Sequence, residues 1–182
     1  MTLRARSARS ASAVFEGKQV FKIRTFVSAL ALAVGLAGVG FQIQSAAAAE
    51  SEADGVVQFA HRQLNKPYRL GANGLSRYDC SGLVYRTYVE NGLATRVGGN
   101  RTANGYYKWF KNHGRLTSNP RKGDLVVWGY RGKRVSHIGI FRGYSNGKAM
   151  AVSALTSGVA VHKVHGINKP FRAYLRVNID RW

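Results

Sequence analysis

Cysteine is almost missing from this sequence: Cys80 is the only one in 182 residues. That excludes an intramolecular disulfide. Carboxylates are scarce too, with 8 Asp+Glu against 28 Lys+Arg and a formal net charge of +20. His137, His162 and His165 fall in one region, but no carboxylate or second cysteine joins them. A zinc site needs three or four convergent ligands, so the sequence speaks against one. No internal repeat is present, and no low-complexity segment follows the first fifty residues. The only long apolar run, Phe26 to Phe41, has sixteen residues, where a spanning helix needs about twenty. The basic charge comes without any nucleic-acid recognition motif.

What is present begins with an export pattern. Six basic residues from Arg4 to Arg24 precede the apolar run, and Ala47-Ala48-Ala49 supplies small residues for cleavage. This order of basic, apolar and small segments predicts a secretory signal over residues 1–49, with an uncleaved anchor as the lesser alternative. Residues 50–182 then form a single domain. Without the leader's six basic residues and Glu16, 22 Lys+Arg face 7 Asp+Glu, a formal +15. Such a charge favours polyanions. Outside the cell these are anionic wall polymers or phospholipid headgroups, and a solvated basic surface without a specific partner is the plain alternative. Export argues against nucleic acid, and no membrane span is expected to remain after cleavage.

The mature chain reads as helices first and strands second, which gives an α+β fold. Ser51 to Asp54 resembles a capping box, and Val56, Ala60 and Leu64 make one apolar stripe that Asn65-Lys66-Pro67 ends. A second helix is predicted over Cys80 to Asn91, with Leu83, Val84, Thr87 and Tyr88 inward, and a third over Thr102 to His113. Strands are predicted over Leu125–Trp128, Ser136–Arg142, Ala149–Ala154, Val159–Val164 and Tyr174–Val177. Asn146-Gly147 marks a hairpin turn between the second and third of these.

Exported proteins usually spend cysteines in pairs, so a lone one is either a buried small hydrophobe or a nucleophile. The surroundings of Cys80 favour the nucleophile. It stands at a helix start, where free backbone N–H groups and the positive end of the dipole stabilise a thiolate. Asp79 can cap that helix, although its charge opposes ionisation of the thiol. A nucleophilic thiol also needs a base within hydrogen-bond reach. His137 is best placed of the five histidines, because it opens a strand whose glycine gaps would let a helix end approach closely. His61 lies within a helix, and His113 at a helix stop is suited to complementing the dipole. Asp79 and Asp124 read as caps or turn formers.

Four segments occur in this order: Pro67-Tyr68-Arg69-Leu70-Gly71, Asp79-Cys80-Ser81-Gly82-Leu83-Val84, Gly123-Asp124-Leu125-Val126 and Ser136-His137-Ile138-Gly139-Ile140-Phe141. Together they resemble the NlpC/P60 cysteine peptidases over roughly Asp54 to Val177. The resemblance implies a papain-like α+β fold, with N-terminal helices packed on a C-terminal antiparallel sheet. It also implies a thiolate, an imidazole base and a third polar residue that orients the imidazole. On those terms Cys80 is the nucleophile and His137 the base, while the Tyr68 hydroxyl and the Cys80 backbone N–H hold the oxyanion. The third position usually carries His, Asn or Gln; here the matching segment places Ser153 there. Thr156, Ser157 and His162 are other candidates for it, should the alignment slip.

The implied activity is hydrolysis of amide bonds in peptidoglycan stem peptides, by a secreted, wall-associated enzyme that needs no cofactor. Peptidoglycan is then the partner, and anionic wall polymers are a second one. Ser153 motivates the alternative, a catalytically weakened module of the same fold that binds the anionic wall.

Overall fold

The computed structural model describes residues 52–179. The expected signal, residues 1–49, lies outside the described residues. A first helix, α1, runs through 52–62. Its Val56 and Ala60 are buried, with Val57 and Leu64 packed beside them, as the apolar stripe requires. The segment after α1 is tied to a distant strand: Asn65 N–H donates to Val159 O at 2.9 Å, and Val159 N–H donates to Lys66 O at 2.9 Å. Those two bonds fix the position of the Pro67–Tyr68 segment.

Helix α2 spans Cys80–Glu90 and α3 spans Ala103–Asn112, with a 3-10 turn, Ala94–Val97, between them. Both α-helices start at a side-chain cap. Asp79 accepts from Gly82 N–H and Thr102 accepts from Gly105 N–H. The residues expected to face inward on α2, Leu83, Val84, Thr87 and Tyr88, are buried. His113 caps the end of α3, its Nδ1 2.7 Å from Trp109 O, in keeping with the expected helix-stop role.

Six strands follow: β1 (Leu116–Thr117), β2 (Leu125–Trp128), β3 (His137–Ser145), β4 (Lys148–Leu155), β5 (Gly158–Lys163) and β6 (Phe171–Leu175). They form one antiparallel sheet in the order β1-β6-β2-β3-β4-β5. The fold is thus the expected α+β. The short β1 was not foreseen from the sequence, and β6 begins and ends earlier than expected. Its end is set by Asp124, whose Oδ1 accepts Val177 N–H at 2.8 Å and draws the chain out of the ladder. Asp124 Oδ2 also accepts Arg121 N–H and faces Arg176 at 3.0 Å, so this aspartate is a structural tie and not an acid of the site.

Strand parity divides the core in two. Leu125, Val127, Ile138, Ile140, Val152 and Ala154 face the helices. Val126, Trp128, Phe141 and Ala151 face the other way, beneath Val164. Every residue of β2 is buried, which is why its sequence is a continuous apolar run instead of an alternating one. His137 pairs with Trp128 across the β2–β3 ladder, at the sheet end nearest Cys80.

Candidate functional site

Cys80, Tyr68 and His137 line one cleft of about 420 Å³, together with Ser136, Ala154, Leu155 and Lys169. This volume lies within the usual range for ligand sites. Thr156 and Ser157 line the same cleft. Three separate elements converge here: the start of α2, the start of β3 and the segment after α1.

The approach of Tyr68 to Cys80 is built by the backbone. Tyr68 and Tyr78 form an isolated bridge, with Arg69 N–H donating to Tyr78 O at 2.9 Å and Tyr78 N–H donating to Pro67 O at 3.2 Å. Asp79 locks the next turn. Its carboxylate accepts Gly82 N–H at 2.6 Å, Ser81 O–H at 2.9 Å and Gly71 N–H at 2.8 Å. Gly82 is needed because the loop at Ala72–Asn73 lies directly on the helix start. A Cβ there would sit 2.0 Å from Ala72 O.

Burial pushes the Cys80 thiol above its ordinary pKa, and the Asp79 charge adds to that effect. Backbone N–H groups of Ile138, Ser81 and Cys80 itself pull the other way. The expected help of the helix start is therefore present but outweighed, because the sulfur is withdrawn from water. The Ile138 N–H, next to the proposed base, is a contact that sequence patterning did not reveal. Burial also raises the Tyr68 hydroxyl, with Cys80 and then Asp79 adding to it, so this group stays an O–H donor.

His137 is 5% exposed, and its pKa is lowered to about 4, first by burial and then by His162 and Lys169. Its imidazole is accordingly neutral over the physiological range. The Nε2 atom lies 2.9 Å from Oγ of the fully buried Ser153. Ser153 Oγ in turn lies 2.7 Å from His162 Nε2. The ring of Trp128 flanks both imidazoles, at 5.2 Å from His137 and 5.5 Å from His162.

One local expectation is corrected. The gap at Gly139 does not admit the helix end. A Cβ on Gly139 would meet Val152 O at 2.8 Å and the Ser153 Cβ at 2.9 Å, so the gap lets β4 bring Ser153 close. His61 and His165 stand apart from this group, His61 on α1 and His165 against Phe171. Among the described residues no group of three or more His, Cys, Asp or Glu side chains is placed to hold a metal ion. No helix among them is long and apolar enough to cross a membrane.

Residues 65–175 match the model of the NlpC/P60 family. The chain is 34% identical over 108 residues to a probable endopeptidase p60 of Listeria grayi, which covers 59% of this chain and 19% of that protein. It is 31% identical over 111 residues to a probable endopeptidase p60 of Listeria monocytogenes serovar 1/2a, covering 61% of this chain and 21% of that one. The chain thus spans about a fifth of the length of these relatives. Among solved structures it is similar to the NlpC/p60 domain of the peptidoglycan hydrolase SagA, with TM-score 0.52 and 23% identity over 68% of this chain and 97% of that one. An NlpC/P60 family protein from Bacillus cereus ATCC 10987 gives TM-score 0.57 at 16% identity, over 69% of this chain and 40% of that one. These likenesses show the fold.

Proposed function

This chain belongs to the NlpC/P60 family, and from that premise we propose that it is an exported cysteine peptidase hydrolysing amide bonds in peptidoglycan stem peptides. The observation that carries the reading is the meeting of Cys80, His137 and Tyr68 in one cleft, with the imidazole hydrogen-bonded to Ser153. The resting pair is a neutral thiol and a neutral imidazole, since burial raises the first and lowers the second. Attack of Cys80 Sγ on the scissile carbonyl forms the C–S bond as the thiol proton passes to His137. The oxyanion is held by the Tyr68 O–H and the Cys80 N–H. Such a donor lowers the barrier by about 3 kcal/mol when aimed at the developing charge. Collapse breaks the C–N bond, and His137 returns the proton to the leaving amine. Water, deprotonated by the same imidazole, then hydrolyses the acyl-enzyme and frees Cys80.

The proposal extends to the surroundings of the site. Residues 1–49 are an export signal and 50–182 the catalytic domain, which places the enzyme outside the cell at the wall. Anionic wall polymers are its second partner. The described residues hold five carboxylates and each is engaged: Glu52 with Arg96, Asp54 with Lys122, Glu90 with Arg86, Asp124 with Arg176, and Asp79 at the α2 cap. Lys108, Lys111, Lys133 and Arg134 line a groove in which no carboxylate takes part. That groove suits a polyanion by simple attraction.

The rival reading, a wall-binding module without efficient catalysis, rested on a serine in the third position. The 2.9 Å contact of that serine with His137 speaks against it. The test is mass spectrometry of purified peptidoglycan after incubation with the protein or with its Cys80→Ala variant. New peptide fragments from the unaltered protein alone support the peptidase. Walls that bind the protein but yield identical fragments in both digests overturn it in favour of the module.

A further inference from the structure

We propose that His162 is a positioning residue of this site, acting through Ser153 to hold His137 in the tautomer whose Nδ1 can take the thiol proton. The inference rests on the peptidase reading for its consequence and on hydrogen-bond geometry for its premise.

The chain of donors can be followed from its outer end. His162 Nδ1 lies 3.0 Å from Lys163 O. A carbonyl only accepts, so Nδ1 carries the hydrogen. In a neutral imidazole the other nitrogen is then bare. The His162 ring is neutral at physiological pH, because burial lowers its pKa. Its Nε2 therefore accepts, and the 2.7 Å contact is a Ser153 O–H donating to it. The serine has one hydrogen and has now used it. Only lone pairs remain on Oγ for the 2.9 Å contact with His137 Nε2, so His137 must donate there. That leaves the lone pair of His137 on Nδ1, the ring nitrogen that Ser153 does not occupy in the cleft shared with Cys80.

The fold makes the arrangement possible. Ser153 is opposite Ala160 in the β4–β5 ladder, and His162 is opposite Ala151. Ser153 and His162 are thus diagonal neighbours on one sheet face, within reach of a long side chain. The two alanines leave the space for it, and Trp128 closes one side. A serine by itself would be a poor orienting group. Its hydroxyl can rotate to donate to His137 as readily as accept from it, which would put the hydrogen on Nδ1 and remove the base. His162 takes the serine's hydrogen and ends that ambiguity. Ser153 and His162 together fill the place a single longer polar side chain would hold.

The test reads the tautomer directly, by nitrogen NMR of the histidine rings in the purified protein at neutral pH, without substrate. Unaltered protein is expected to show His137 protonated at Nε2. His162→Phe and Ser153→Ala should each give a mixed or Nδ1-protonated His137, and His162→Gln, whose amide oxygen can accept the serine hydrogen, should restore the first pattern. On soluble stem peptide, His162→Phe should lower kcat by about 10- to 100-fold with little change in KM, by analogy with the loss of an outer partner of a metal-ligating histidine. In a Ser153→Ala background the same change should have no further effect. Finding His137 protonated at Nδ1 in the unaltered protein overturns the proposal. So does an unchanged tautomer in His162→Phe, or losses that multiply in the double variant. Because the NMR signal needs no substrate, these outcomes stand apart from any failure to digest peptidoglycan.

Discussion

Lowering the pH should leave the proposed peptidase active well below the point where an ordinary histidine base would fail. The base must be neutral, so activity rises with pH through the His137 pKa, and burial has moved that value to about 4. At pH 5.5 a group titrating at about 4 is ~97% neutral, whereas one at the ordinary 6.5 is only ~9% neutral. Activity at pH 5.5 should therefore be nearly that at pH 7.5, not a tenth of it. The assay is kcat/KM on a soluble stem peptide from pH 4 to 8. An acid midpoint near 6.5 would refute the reasoning. A resting thiolate–imidazolium pair could also give a low acid limb, so a second profile separates the two. Alkylation of Cys80 should slow about tenfold for each unit that pH falls through the neutral range if the thiol is neutral at rest, as its burial implies. Fast alkylation down to pH 5 would show the ion pair instead. Stability must follow the same displacement. The unfolded chain takes up the His137 proton near 6.5 and the folded chain only near 4, so acid favours unfolding between those values. The full difference is of order 3 kcal/mol, present above 6.5 and gone below 4. Denaturant titrations of His137→Gln should lack that part of the acid sensitivity.

Tyr68→Phe removes only a hydroxyl from the cleft. It should cut kcat by about 100-fold with KM little changed, the usual consequence of losing one oxyanion donor; a kcat within threefold of the unaltered enzyme would remove Tyr68 from that role. Gly82→Ala forces a Cβ to 2.0 Å from Ala72 O and 2.8 Å from the Ala72 carbonyl carbon, both backbone atoms that cannot swing aside. It should lower Tm by about 10 °C, from a cost of roughly 3 kcal/mol, and a thermal scan within 2 °C of the parent would show that the loop yields freely.

Much of this architecture is written in local signals. Asp79 caps α2 because a short acceptor there meets the free Gly82 N–H, a relation visible in the sequence alone. The all-apolar β2 and the Asn146-Gly147 turn were legible for similar reasons, since burial on both faces and a positive φ each demand particular residues. What stayed hidden depends on meetings between distant segments. The β1 strand has two residues and exists only because β6 lies beside it. The use of Gly139 was misjudged because its neighbour is β4 and not α2, which strand parity decides only after the sheet order is known. The net effect on the Cys80 thiol was not legible for a related reason. A helix start is visible in sequence, but the withdrawal of the sulfur from water is not.

The third position shows where that boundary runs. Ser153 was recognised by its place after the base, and His162 stood beside it as a rival for the same role, although the two act in series. The missing step was the register of one hairpin. Thr156 and Ser157 make a two-residue turn, with Leu155 opposite Gly158 and Gly158 at φ +117°. Once that turn is fixed, the count is forced: Ser153 falls opposite Ala160, and His162 lands one diagonal step away on the same face. Shifting the register by one residue would send His162 to the helix side of the sheet. The glycine after a Thr-Ser pair, which opens β5, was therefore the signal available in the sequence, and on the proposed relay it bears on the tautomer of the base from outside the cleft. An inserted residue in that turn should separate His162 from Ser153, but it would also shift Val159, whose backbone bonds to Asn65 and Lys66 hold the segment before Tyr68, so the point change His162→Phe is the variant that isolates the tautomer of the base.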